Sequence, residues 1–173
     1  MTVLHETSTL NVESSLSDYF VTALTALTRP TWLSAMPTII HNMPEGVAAF
    51  PSFSFWHIPA GIVEQYMGRI AERGVKASRK LGILEISCWV NRKQTNWMSQ
   101  LRTMQSMVET AHQDSGGGVI IKDYQSNQSM PNNTVYRVTL IDLDIVNVAK
   151  DPNPDVERRR CLVNYTWNMR SSN

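Results

Sequence analysis

Cysteine is nearly missing from this sequence, with Cys88 and Cys161 its only two. Each lies inside an alternating apolar run, where a reduced thiol packs as a small hydrophobe, so two buried thiols are expected rather than a disulfide. Long apolar runs are missing too: none approaches the roughly 18 residues that a membrane span requires. The first eight residues have neither the basic nor the apolar segment of a secretory leader, so a soluble, unexported chain without a membrane partner is expected. Charge of one sign is also lacking. A formal net charge of +1 speaks against a dedicated nucleic-acid binder, whose domains are clearly basic, and any electrostatic partner must meet a local patch. There are no internal repeats and no low-complexity tract.

Reactive constellations are sparse as well. His5, His41, His57 and His112 have no cysteine or carboxylate at ligand spacing around them, so no zinc signature exists and no metal or cofactor is expected. Asp142 and Asp144 sit two apart on one strand face, where they form either a solvated pair or an acid/base or cation-holding pair. Cys161 as a nucleophile would need an activating base and an exposed position, which a strand interior does not offer. Gly116-Gly117-Gly118 follows a helical pattern and precedes a strand. A phosphate-cradling loop has the reverse order, so these glycines read as a helix stop.

What is present is enough apolar residue, 42% of 173, to bury about two-thirds of the unfolded surface of one domain spanning 1–173. Leu16, Tyr19, Phe20, Ala23, Leu24 and Leu27 fall at helical spacing over 11–28, with Asn11 as cap and Pro30 as terminator. Residues 38–42 and 52–58 read as short strands. The turn residues Pro44-Glu45-Gly46 between them suggest an antiparallel pair, with aromatic side chains on both faces of the second strand. Residues 82–90 alternate cleanly, Leu84, Ile86, Cys88 and Val90 against Glu85, Ser87 and Trp89. A second helix follows, capped by Asn96, with the stripe Trp97, Leu101, Met104, Val108 and Ala111 and a polar side carrying Gln100. Residues 119–124 read as a strand, and 134–148 as one long bent strand or two joined by a bulge. A turn at 151–154 leads to a last strand over 158–167. The predicted fold is α+β: a mainly antiparallel sheet of about five to six strands, two amphipathic helices packed on it, and a long basic arm between two strands.

That arm, 60–82, is several times longer than the roughly 4 to 6 residues of an ordinary connection. Its cations Arg69, Arg73, Lys76, Arg79 and Lys80 face only Glu64 and Glu72, a local net of +3 that leaves the remainder of the chain at −2. Three readings stand. It is a solvated, partly helical crossover with Ile62, Met67 and Ile70 as its stripe. It is a nucleic-acid contact, with only Tyr66 available for stacking. Or it is a protein-contacting or pore-lining arm in an oligomer. Arg158, Arg159 and Arg160 open the last strand, where alternation sends them to opposite faces. Ion pairing with Asp151, Asp155 and Glu157 beside them is their expected use.

In layout the chain resembles the tail terminator, or tail-completion, proteins of long-tailed bacteriophages. The residues that carry the likeness are the first stripe from Leu16 to Leu27, the Leu84-Glu-Ile-Ser-Cys-Trp-Val90 strand leading into the Trp97 to Ala111 helix, and the closing Arg160-Cys-Leu-Val-Asn-Tyr-Thr-Trp167 strand. The resemblance implies a structural virion protein with no catalytic residue. It would form a hexameric ring that caps the tail tube, ends its polymerisation and joins it to the head-side connector. Its place would be the tail or neck of the virion, after assembly in the host cytoplasm. Its partners would be copies of itself, the tube protein, the connector protein and DNA passing nonspecifically through the lumen. Contacts to a neighbour or the lumen are then expected from Arg69, Arg73, Lys76, Arg79, Lys80, Arg158, Arg159 and Arg160. A small α+β enzyme using Asp142/Asp144 or Cys161, or another phage neck or tail subunit, is the alternative.

Overall fold

The computed structural model describes residues 8–33, 35–41, 49–58, 62–66, 75–123, 128–129, 137–147 and 153–172. Arg69, Arg73, His5, the Pro44–Gly46 turn and Asp151 lie outside them. Helix α1 (Thr9–Ala26) and helix α2 (Trp97–Asp114) pack on a sheet built from β1 (Thr38–His41), β2 (Ser52–Ile58), β3 (Ile62–Tyr66), β4 (Val75–Asn91), β5 (Gly118–Ile120), β8 (Arg137–Asn147) and β9 (Val156–Ser172). A separate hairpin joins β6 (Lys122–Asp123) to β7 (Gln128–Ser129). The strand order is β1-β2-β4-β9-β8-β5, with β3 added to β4 off this path, and the sheet curls into a half-barrel. The α+β class with two helices on a mainly antiparallel sheet is the one the sequence predicts.

Each helix buries the stripe its spacing predicts. Val12, Leu16, Phe20 and Leu24 of α1 and Leu101, Met104, Val108 and Ala111 of α2 meet Phe53, Phe55, Leu84, Ile86, Cys88, Val163 and Tyr165 of the sheet in one core. Two details differ. Ser8, not Asn11, caps α1, its Oγ accepting from the Asn11 N–H at 3.3 Å, because the helix begins a turn earlier and Asn11 is buried inside it. Gln100 is buried rather than solvated. Its amide donates to Gln94 Oε1 at 2.7 Å and Asn96 Oδ1 at 2.8 Å, so Asn96 holds the cap position but spends its side chain on Gln100 and on the carbonyl of Trp32. The glycine stop is as expected, with Gly116 and Gly117 at φ +60 and +80.

Three strand expectations change, and the alternatives left open for 134–148 narrow to one. β1 and β2 are parallel, Thr38 opposite Ser52 and His41 opposite Phe55. Turn residues signal a reversal only in a short loop, and the connection here is long enough to return the chain for parallel pairing. The apolar run after the glycines breaks at Ile121, where the Lys122 N–H leaves the ladder for Ser15 Oγ at 2.8 Å, so β5 and β6 belong to different sheets. β8 is one strand with a bulge, because Leu140 faces Tyr165 and Asp142 faces Asn164, leaving Ile141 as the extra residue. The strand predicted at 82–90 begins at Val75, and the one predicted at 158–167 runs from Val156 to Ser172.

This last change redraws the basic arm. β4 and β9 are 17 residues each and pair along their whole length, from Val75 opposite Ser172 to Asn91 opposite Val156. At 3.3 Å per residue they run about 55 Å. A chain of this length packed as a compact domain is about 40 Å across. The excess is the arm, in which β3 lies antiparallel along β4, Ile62 opposite Lys80 and Tyr66 opposite Ala77. Among the described residues the arm is thus a three-stranded ribbon; Met67 and Ile70, two of the three residues of the expected helical stripe, lie outside them.

Candidate interaction surfaces

Parity along the paired strands sends Ser52, Ser54, Glu85, Ser87, Trp89, Arg158 and Arg160 to the sheet face opposite the helices. That face is nonetheless buried at its centre, with Ser52, Ser54, Glu85 and Ser87 at most 2% exposed. A buried carboxylate must be compensated. Glu85 Oε1 accepts from Arg158 Nη2 and from Ser87 Oγ at 2.7 Å, and Oε2 accepts from Arg160 Nη2. Arg158 Nε donates to Ser87 Oγ at 3.0 Å, and its guanidinium lies 4.8 Å from the Trp89 ring centre, while the Trp89 N–H donates to Ser54 Oγ at 2.8 Å. Burial alone would push the Glu85 carboxyl up, but the bonds from Arg160, Ser87 and Arg158 outweigh it and hold it below its ordinary value.

The three arginines therefore do split between faces, but their ion pairing is not local. Arg158 and Arg160 turn to Glu85 on the neighbouring strand, and Arg159, on the helix side, donates to Gln105 Oε1 of α2 at 3.0 Å. Their acidic neighbours are engaged elsewhere, Glu157 with Arg92 at 3.5 Å and Asp155 with Lys93 at 2.6 Å. Sequence adjacency misleads because adjacent residues in a strand diverge, whereas residues paired across strands converge. Glu85 is the residue this reading missed; the signal was a lone carboxylate in the middle of a strand otherwise apolar, small or aromatic.

The ribbon brings Arg79 and Lys80 together with the backbone of Lys76 on β4. Arg79 Nη2 reaches Thr166 Oγ1 at 3.4 Å, and both Arg79 and Lys80 are partly exposed. At the far side of the sheet, β5 covers only the first residues of β8, Arg137 to Thr139. The Leu140 N–H is taken by the Gly117 carbonyl at 3.0 Å. Beyond it, no described strand pairs with the outer edge of 141–147, where Ile141, Ile145 and Val146 are 50%, 39% and 37% exposed. An apolar strand edge with unpaired backbone groups is a template for another strand.

Asp142, Asp144 and the two cysteines, weighed above for chemistry, have structural partners. Asn164 Nδ2 donates to Asp142 Oδ1 at 2.6 Å and to Asp144 Oδ2 at 3.2 Å, bridging the two carboxylates on an exposed strand surface. Cys88 and Cys161 are free thiols, fully buried. A bond with Cys161 and burial push the Cys88 thiol up, away from the thiolate that nucleophilic chemistry requires. Among the described residues no three His, Cys, Asp or Glu side chains gather as a metal site, and no helix is long and apolar enough to cross a membrane. A cleft of about 420 Å³ between α1 and β5 is lined by Asp18, Tyr19, Lys122 and Arg137, among others.

His57 links α1 to the sheet, its Nε2 lying 2.8 Å from Ser17 Oγ. Burial lowers its pKa from 6.5 to about 4. Between these values the unfolded chain binds the proton and the folded chain does not. The contribution is therefore whole above pH 6.5 and is lost as pH falls toward 4, amounting at most to roughly 3 kcal/mol. Glu13, whose carboxyl burial raises, works in the opposite direction. His57→Gln is accordingly expected to flatten the loss of stability between pH 6.5 and 4.5, read as urea midpoints beside the parent chain. Parallel pH profiles for the two would reject the assignment.

No family model matches the chain, and no curated protein is significantly similar to it.

Proposed function

We propose that this chain is a structural assembly protein, a subunit of a closed ring that caps the tail tube of a long-tailed bacteriophage, ends its polymerisation and joins it to the head-side connector. The observation that carries the reading is the ribbon. Two 17-residue strands, paired throughout, run about 55 Å, and among the described side chains their core residues are Leu84, Ile86, Cys88 and Val90 on one and Cys161, Val163, Tyr165 and Trp167 on the other. Ordering a projection of this length costs conformational entropy, which contact with a neighbour would offset. A head-to-tail interface that closes by rotation yields a ring and leaves two dissimilar ends, one able to match a tube and one that does not propagate. Cations on the ribbon, including Arg79 and Lys80, suit nonspecific attraction to the phosphates of DNA in a lumen. The setting is the tail or neck of the virion, with assembly in the host cytoplasm.

The test is direct. Added to polymerising tube protein at a few per cent of its subunits, the chain should shorten the tubes and appear in electron micrographs as a density at one end only. Tubes of unchanged length, with bare ends, at stoichiometric excess would remove the proposal.

A further inference from the structure

We propose that the cleft between α1 and β5 binds a small organic anion, an apolar body carrying one carboxylate or phosphate group, with Arg137 gripping the anionic end. The site lies in the body of the chain and uses nothing of the ribbon, so it stands or falls separately from the ring reading. Its volume of about 420 Å³ is within the roughly 300 to 1,000 Å³ that small-molecule sites occupy. One wall is α1 with Tyr19, and the other is β5 with Val119 and Ile120. The chain crosses from sheet to helix beside it, where the Lys122 N–H donates to Ser15 Oγ at 2.8 Å.

Charge is the first observation. The lining holds two cations, Lys122 and Arg137, to one carboxylate, Asp18. Among the described residues neither cation is in an ion pair, whereas Arg92, Lys93, Arg158 and Arg160 all are. Two cations on the wall of a concavity raise the local concentration of anions.

The second observation is that Arg137 is already held in place. A β-carbon built on Gly118 would lie 2.4 Å from Arg137 Nε and 3.1 Å from its Cδ, so the arginine stem lies across the glycine. Its Nη2 donates to the Gly118 carbonyl at 3.3 Å. This is the guanidinium's one hydrogen bond among the described residues, and other N–H groups of its planar fork remain for a carboxylate or phosphate. A side chain seated in this way has less rotamer freedom to lose on binding. The third observation is the wall. Tyr19 spends its hydroxyl on the Ala111 carbonyl at 2.8 Å, and Ile120 is 39% exposed, so apolar surface lies in the same cleft as the two cations. An amphipathic anion covers both, whereas an inorganic ion covers only one.

The experiment is a saturation-transfer NMR titration of the full-length chain with phenyl phosphate and with benzoate, and with benzyl alcohol as the neutral counterpart. Both anions are expected to bind saturably at millimolar concentration or below, at least about tenfold more tightly than benzyl alcohol. The tighter of the two identifies phosphate or carboxylate as the preferred group. R137Q is expected to weaken both about tenfold or more, because hydrogen bonds between charged partners are the strong ones. K122Q keeps the backbone bond to Ser15 and is expected to weaken both about threefold, which keeps the test open should R137Q misfold. R102Q, at an exposed cation of α2 that does not line the cleft, should change neither. Absence of saturable binding, benzyl alcohol binding as tightly as the anions, or equal losses in R137Q and R102Q would overturn the site.

Discussion

Glu85→Gln is expected to cost about 3 to 5 kcal/mol, the range found when one partner of a buried ion pair is removed. The carboxylate is 3% exposed at its side chain and receives two guanidiniums, of which Arg158 is 13% and Arg160 31% exposed. Glutamine keeps an acceptor for one of them but removes the charge that both guanidiniums share. Arg160 Nε is buried and finds no acceptor among the described residues. For a domain whose whole stability lies in the range of about 5 to 15 kcal/mol, the variant is close to unfolding, and its melting temperature should fall by roughly 6 to 20 °C. A second variant separates charge from packing. In E85L/R158M/R160L all three charges are replaced by apolar groups of similar volume, and stability near the parent is expected, because the desolvation of a buried ionic cluster largely cancels its attraction. A loss below about 1 kcal/mol for Glu85→Gln would mean that solvent reaches the cluster and that the open face of the sheet is not the dry polar layer described above.

Gly82→Ala is the second large effect expected, and it acts where the ribbon leaves the body. Gly82 is directly opposite Tyr165, and a β-carbon built on it would lie 2.3 Å from Cζ and 2.5 Å from the hydroxyl oxygen of that ring. The ring cannot swing away cheaply: Tyr165 is 1% exposed and stacks on Trp167 with centroids 5.6 Å apart at 30°. Glycine is needed for space here rather than for an unusual backbone angle. Overpacking of this kind costs about 1 to 3 kcal/mol and sometimes more. Tyr165→Ala alone should cost about 3 to 5 kcal/mol as an aromatic deletion from the core. Once the ring is gone the added methyl has room, so the double variant should be no worse than Tyr165→Ala. A coupling on the order of 2 kcal/mol in the cycle is predicted, and simple additivity would show that the ring does not fill the space over Gly82.

These two sites show what could be read from the sequence and what could not. Helix stripes, the strand at 82–90 and the alternation around Cys161 were legible because periodicity is local and a core face must be apolar. The triple-glycine stop and the bulge in the long strand were legible for the same reason. Gly82 looked like the end of an arm, since nothing local indicates that a tyrosine more than eighty residues later lies across it. Glu85 was placed only on a shared face with Ser87 and Trp89, because strand alternation tells which residues share a face but not whether the curl of the sheet closes over it. The parallel pairing of β1 with β2 and the Arg158 and Arg160 bonds to Glu85 are products of strand order, which pattern alone leaves open. The basic character of 60–82 was visible at once; its form as a ribbon depends on pairing with 166–172, whose own sequence gave no sign of extending the last strand that far.

We propose that the ribbon exists for association between copies. The most direct measurement is the molar mass of the purified parent chain by light scattering, from nanomolar to high micromolar concentration. With a chain mass of 19.6 kDa, a closed six-membered ring gives a concentration-independent plateau at about 118 kDa, followed on dilution by a return to the single-chain mass. A chain that holds the single-chain mass across the whole range, in low salt and in the presence of tube protein, would contradict it.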